Sequence, residues 1–169
     1  DTGAKIDGFN GDNACTFPCG KVDIEAQRLM DVTKESLHRG IAAAVAGNRV
    51  GDIGHAVQSY VEENGFSVVR SFVGHGVGKE LHEDPEVPNY GHAGHGVRLV
   101  NGMTIAIEPM VNQKHHSVKT LSDGWTVVTA DGGLAAHFEH SNAILKDHTE
   151  IMTRFWDDPD FDPEKFSLK

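Results

Sequence analysis

Five residues of this 169-residue chain carry ligand chemistry in distinctive settings. They are Asp1 and Asp12 in Asp1-Thr2-Gly3…Asn10-Gly11-Asp12, His75 in Gly74-His75-Gly76-Val77-Gly78, Glu108 in Ile107-Glu108-Pro109-Met110, and Glu139 in Phe138-Glu139-His140-Ser141. Four carboxylates and one imidazole suit two hard or borderline divalent ions sharing one site, a device that activates water and polarises a carbonyl. Asp1 is the first residue, so the chain begins on a candidate ligand.

Each candidate has a local argument. Glu108 follows the apolar run Met103-Thr104-Ile105-Ala106-Ile107, which predicts a buried strand over 103–108. A carboxylate at the end of such a strand needs a cation or tight hydrogen bonding, because burying it alone is costly. Glu139 interrupts the strand pattern at 135–145 in the same way. Either acid alone fits a paired core carboxylate; two of them beside a Gly-His-Gly loop favour a metal. His75 lies between glycines that let the backbone approach a site closely, although Gly-x-Gly loops are common. His82, seven residues on, reads equally as an ordinary loop histidine or as a substrate-facing imidazole able to donate to a carbonyl.

The positioning elements follow from pattern. Thr2–Ile6 and a strand from Phe9 to Thr16 form a hairpin around Asp7-Gly8. A two-residue turn sets Gly3 opposite Asp12, so Asp1 points to the same side of the hairpin as Asp12, roughly 7–8 Å away along the diagonal. The same spacing also fits two solvated aspartates flanking a hairpin. A long helix over 23–46 carries Leu29, Val32, Leu37, Ile41 and Val45 on one stripe and ends at Gly47. Asp52 caps a second helix over 53–63, whose Ile53, Val57, Tyr60 and Val61 face inward and which Gly65 terminates. Residues 66–73 read as a short strand, 74–96 as a loop rich in glycine and histidine, and 125–130 with 135–145 as a hairpin around Asp131-Gly132-Gly133. The domain reading is one mixed α/β body over 1–150, with an acidic, Pro-containing tail over 151–169.

Composition narrows the classes. Lys and Arg number 15 against 25 Asp and Glu, a formal charge of −10, which argues against a nucleic-acid surface. No apolar run approaches a membrane span and no signal-peptide pattern opens the chain. Cys15 and Cys19 match no zinc spacing and read as two reduced thiols of a cytoplasmic protein. Most of the 11 histidines must be bystanders; His92, His95, His115 and His116 read as exposed loop residues.

Taken together, the motifs around Asp1, Asp12, His75, Glu108 and Glu139 resemble those of the type I methionine aminopeptidases, over residues 1 to about 145. The resemblance implies an α/β (α+β) pita-bread fold, an antiparallel curved sheet with flanking helices, here incomplete at the N-terminus. It implies two divalent metal ions (cobalt, manganese, iron or zinc) held by Asp1, Asp12, His75, Glu108 and Glu139, with Asp12 and Glu139 bridging. Glu108 would also handle the proton, His82 would contact the substrate at the scissile peptide, and Leu81 and Trp125 would border the methionine pocket. The implied reaction is removal of the N-terminal methionine from a peptide or nascent polypeptide in the cytoplasm, with no nucleic-acid or membrane partner. The alternatives are a proline-specific peptidase of the prolidase or aminopeptidase P type, and a non-catalytic pita-bread binding protein. Relatives of the first type usually carry further histidines near the site, but the segments His82–Tyr90 and Asp123–Thr126 look like the type I methionine aminopeptidases, and the ligand losses typical of the second have not occurred.

Two departures stand out. The family's catalytic domain extends well upstream of its first aspartate ligand, so the resemblance implies a fragment, a processed chain or an incomplete piece of a longer gene product. A second chain supplying the missing N-terminal half is then one route to a complete site. Leu81 stands where the family usually has an aromatic beside the substrate histidine.

Overall fold

The Asp7-Gly8 pair dictates how the chain opens. In the computed structural model, which describes residues 1–155, β1 (Thr2–Ile6) and β2 (Phe9–Ala14) pair antiparallel, with Ile6 opposite Phe9 and Gly3 opposite Asp12. Asp7 and Gly8 both take positive φ, 52° and 86°, the mirror-image turn whose twist matches that of the flanking strands. The predicted register therefore holds, and Asp1 stands one residue before β1.

α1 (Ile24–Ala43) begins where Asp23 Oδ1 accepts the Ala26 N–H at 2.8 Å. It stops short of the predicted residue 46, because the Ala44 N–H turns back to the Ile41 carbonyl. Ala44 then takes the core position expected of Val45, which is half-buried, and Gly47 (φ 100°) donates to the Leu99 carbonyl in the turn beyond. α2 (Val50–Glu63) starts three residues earlier than its predicted start at 53. Asp52 is not its cap: it lies within the first turn, and its carboxylate reaches back to the Arg49 N–H at 2.7 Å and across to the Gly94 N–H at 2.7 Å. Those two backbone donors, Arg49 first, hold the Asp52 carboxyl below its ordinary value. Ile53, Val57 and Val61 are fully buried and Tyr60 is half-buried.

The remaining strands are β3 (Ser67–Val68), β4 (Gly74–Gly76), β5 (Glu83–Val87), β6 (Thr104–Ile107), β7 (Met110–Asn112), β8 (Val118–Thr120), β9 (Val127–Thr129), β10 (Ala135–His137), β11 (Glu139–Ile144) and β12 (Thr149–Ile151). The main sheet runs β1-β2-β11-β6-β4-β5 with β12 added on β11; β10-β7-β3 and β8-β9 form two smaller sheets. All pairings are antiparallel. α1 lies against β6, β7, β10 and β11, and α2 against α1, β3 and β5. The core between them is aliphatic: Leu29, Leu37, Ile53, Val57, Leu99, Ile105 and Ile107 are almost wholly excluded from solvent. Among the described residues no helix is long and apolar enough to cross a membrane.

Several predicted elements need correction. The loop expected over 74–96 contains β4 and β5, so His75 sits within the main sheet. Its flanking glycines serve close packing: a Cβ at Gly74 would lie 2.3 Å from the Ala106 carbonyl oxygen, and one at Gly76 2.3 Å from that of Asp84. The strand expected over 66–73 is only Ser67–Val68. The hairpin expected of 125–130 and 135–145 does not form: β9 pairs with β8, β10 with β7, and β11 with β2 and β6. Phe138, buried and donating its N–H to the Pro109 carbonyl, is where the chain crosses from one sheet to another. The ordered body also continues past residue 150. Ile151 pairs with Asn142, Thr153 Oγ1 accepts the Ser141 N–H at 3.0 Å, and the Phe155 ring packs 4.7 Å from that of His140. The acidic stretch 157–169 lies outside the described residues.

One clamp ties the hairpin to the central strand. The Asp12 N–H donates to Ser141 Oγ at 3.0 Å, and the Ser141 hydroxyl donates back to the Asp12 carbonyl at 2.8 Å. Ser141 is fully buried, so Ser141→Ala leaves two main-chain groups without partners. We expect it to cost about 1–3 kcal/mol of stability in chemical denaturation.

Candidate metal centre

Four adjacent strands each deliver one of the buried polar side chains. Along β2-β11-β6-β4 these are Asp12 on β2, Glu139 as the first residue of β11, Glu108 one residue beyond β6, and His75 at the centre of β4. Asp1 joins from the start of β1. All but Asp1 are 9 % exposed or less. Donor atoms of Asp1, Asp12 and Glu139 lie within 4.8 Å of one another, as do those of His75, Glu108 and Glu139, and those of Asp12, His75 and His82. Glu139 thus belongs to one triad on either side, an arrangement that can seat two cations around a shared carboxylate.

The electrostatics call for a proton or a cation. Glu139 is 1 % exposed and its Oε1 is buried without a hydrogen-bond partner. Burial first, then repulsion from Glu108 and Asp12, pushes its carboxyl up to about 9. His75 Nδ1 lies 2.8 Å from the Gly76 carbonyl, which places the ring proton there. The free Nε2 faces carboxylate oxygens, 3.4 Å from Glu108 Oε1 and 3.8 Å from Asp12 Oδ2. An imidazole nitrogen turned toward carboxylates, in one cluster with a buried carboxylate oxygen that has no partner, fits divalent metal ions, which suit these nitrogen and oxygen donors.

The other expected site residues fall differently. His82 is exposed, and its ring meets that of His75 edge-on at 4.3 Å. Leu81 is 37 % exposed, and its Cδ1 would lie 3.4 Å from a Cβ at Gly3. The structure does not bring Trp125 to the cluster: it stands 87 % exposed on the turn between β8 and β9, its N–H held by Asp123. His92 and His95 face each other at 6.0 Å in an exposed turn and join none of the ligand groups. Sequence reasoning missed His137, whose Nε2 is 3.4 Å from Glu108 Oε2. Local pattern carried no signal for it, because His137 ends β10 and Glu139 begins β11, strands of two different sheets that the period of two does not relate.

Fold and site together define a metallopeptidase-type centre on a pita-bread sheet. The family model for metallopeptidase family M24 matches residues 1–146, and the chain belongs to that family. A methionine aminopeptidase of Clostridium acetobutylicum is 56 % identical over 153 residues, 90 % of this chain and 61 % of the relative. The crystal structure of a methionine aminopeptidase from Thermotoga maritima superposes with a TM-score of 0.88 at 48 % identity, over 90 % of this chain and 61 % of that one. The chain therefore spans about three-fifths of the length of these relatives. A prolidase from Pyrococcus furiosus, 21 % identical with a TM-score of 0.69, shares the fold alone.

A pH dependence follows from Glu139. The folded protein retains this proton up to about pH 9, whereas an ordinary glutamate loses it near 4.5. Between those values the folded state binds more protons, so metal-free stability falls as pH rises through that window. In EDTA, we expect melting temperature to decline from pH 5 to 9. Glu139→Gln should flatten that decline and raise the metal-free melting temperature at pH 8 by about 2–4 °C per kcal/mol recovered.

Proposed function

We propose that the chain forms the metal-binding part of a methionine aminopeptidase, which removes the N-terminal methionine from peptides and nascent proteins in the cytoplasm. The observation that carries this reading is the convergence of Asp12, Glu139, Glu108 and His75 from four neighbouring strands, with Asp1 completing the second triad. Relatives bearing that name at 56 % and 53 % identity support the substrate class.

In this reading Asp1, Asp12 and Glu139 hold one ion and His75, Glu108 and Glu139 the other, with Asp12 also within reach of the second position. Two bound divalent ions, for which cobalt, manganese, iron and zinc all suit the donors, supply Lewis acidity that polarises the scissile carbonyl and activates water. Glu108 takes the proton of the attacking water and passes it to the leaving amine. His82, exposed beside His75, donates to the carbonyl oxygen as charge develops there. Leu81, beside Gly3 at the edge of the cluster, contributes apolar surface for the methionine side chain.

The test is release of free methionine from a Met-Ala-Ser peptide by the purified protein, with Co²⁺ or Mn²⁺ and with EDTA. Metal-dependent release is expected, and Glu108→Ala should lower it by about 10²–10⁴-fold. Absence of release with every metal even after the upstream segment is supplied, or hydrolysis of Ala-Pro in preference to Met-Ala-Ser, overturns the reading.

A further inference from the structure

We propose that His137 is a positioning residue for Glu108, holding Oε2 through its Nε2–H so that Oε1 is presented to the ion beside His75 and Glu139. The inference rests on the metal-centre reading above and adds a residue outside the ligand set.

Glu108 stands between two imidazoles. His75 Nε2 is 3.4 Å from Oε1 on one side and His137 Nε2 is 3.4 Å from Oε2 on the other. His75 is the metal-facing partner, since its other nitrogen is engaged by the Gly76 carbonyl. His137 Nε2 is buried and has no hydrogen-bond partner. A buried ring N–H is costly to leave unmade, and the nearby Glu108 carboxylate oxygen can accept it. A closing movement of about half an ångström brings the pair to hydrogen-bond length.

The ring is mounted to do this. The His137 N–H donates to Thr16 Oγ1 at 2.9 Å, and the Thr16 hydroxyl donates to the His137 carbonyl at 2.9 Å, which pins the backbone on both sides. His137 pairs across β10–β7 with Met110, two residues after Glu108. Asn89, fully buried, donates its amide to the Glu108 carbonyl at 3.1 Å. The Glu108 carboxylate is thus left to rotate about its own side-chain bonds, and a donor on Oε2 removes that freedom. Outer-shell donors of this kind typically add 10–100-fold to metal affinity. A cavity of 320 Å³, lined by Val69, Phe72, Met110 and Ala135 among others, borders His137. That space can accept the longer, unbranched glutamine side chain in place of the ring.

The test compares Co²⁺ affinity, by competition with a chromophoric chelator, and the Co²⁺ absorption spectrum for the wild type, His137→Ala, His137→Phe and His137→Gln. Melting in EDTA is measured alongside. Alanine and phenylalanine, which lack the donor, should bind Co²⁺ roughly 10–100-fold more weakly with an altered spectrum, and glutamine should recover affinity to within a factor of about three. Metal-free melting of the phenylalanine and glutamine variants should be similar, which separates positioning from a general structural role. Wild-type affinity in the phenylalanine variant overturns the proposal, as does a well-folded glutamine variant that fails to recover. If the wild type binds no Co²⁺, the metal-centre reading falls with it.

Discussion

Everything in this structure answers to one constraint: several carboxylates are packed in the interior of a sheet with almost no compensating positive charge. Glu139 is enclosed, has an unpartnered oxygen, and faces Glu108 and Asp12. Such a cluster is unfavourable unless a proton or a cation enters it. The metal-free protein meets this by retaining a proton on Glu139; divalent ions relieve it more completely and convert the stored repulsion into affinity.

The scaffold is arranged so that relaxation cannot remove the repulsion. Ser141 fixes the main chain of Asp12 with both hydroxyl functions, and Asn89 holds the backbone of Glu108. The backbones of Gly74 and Gly76 lie so close to neighbouring strands that no side chain fits, which locks the strand bearing His75. Because the ligands come from, or adjoin, neighbouring strands of one hydrogen-bonded sheet, their backbones keep a fixed relation to one another. That rigidity is what metal-assisted hydrolysis requires of a protein, since a site about 1 Å too loose loses much of its effect.

The membership in family M24 and the likeness to methionine aminopeptidases sit naturally on this geometry. The His137 contact extends it outward. Glu108 is asked both to ligate and to move a proton, and a carboxylate with two duties gains from having each oxygen assigned.

Much of this was legible in the sequence because the responsible forces are local. The Asp7-Gly8 turn sets its own register, an apolar strand ending in an acid announces a buried carboxylate, and helical stripes locate the core faces of α1 and α2. The five candidate ligands could be picked out by residue type and immediate neighbours. Tertiary structure alone decided how those pieces meet. Gly74–Gly76 reads as a flexible loop, and it is a strand because β5 and β6 flank it. The run 135–145 reads as one strand of a hairpin, yet it divides at Phe138 between two sheets whose partners lie far away in sequence. His137 reads as a bystander until β10 carries it to Glu108. Local pattern encodes turn geometry and burial, because these depend on neighbours along the chain. Strand partnership and the approach of one side chain to another depend on long-range packing, which no periodicity records.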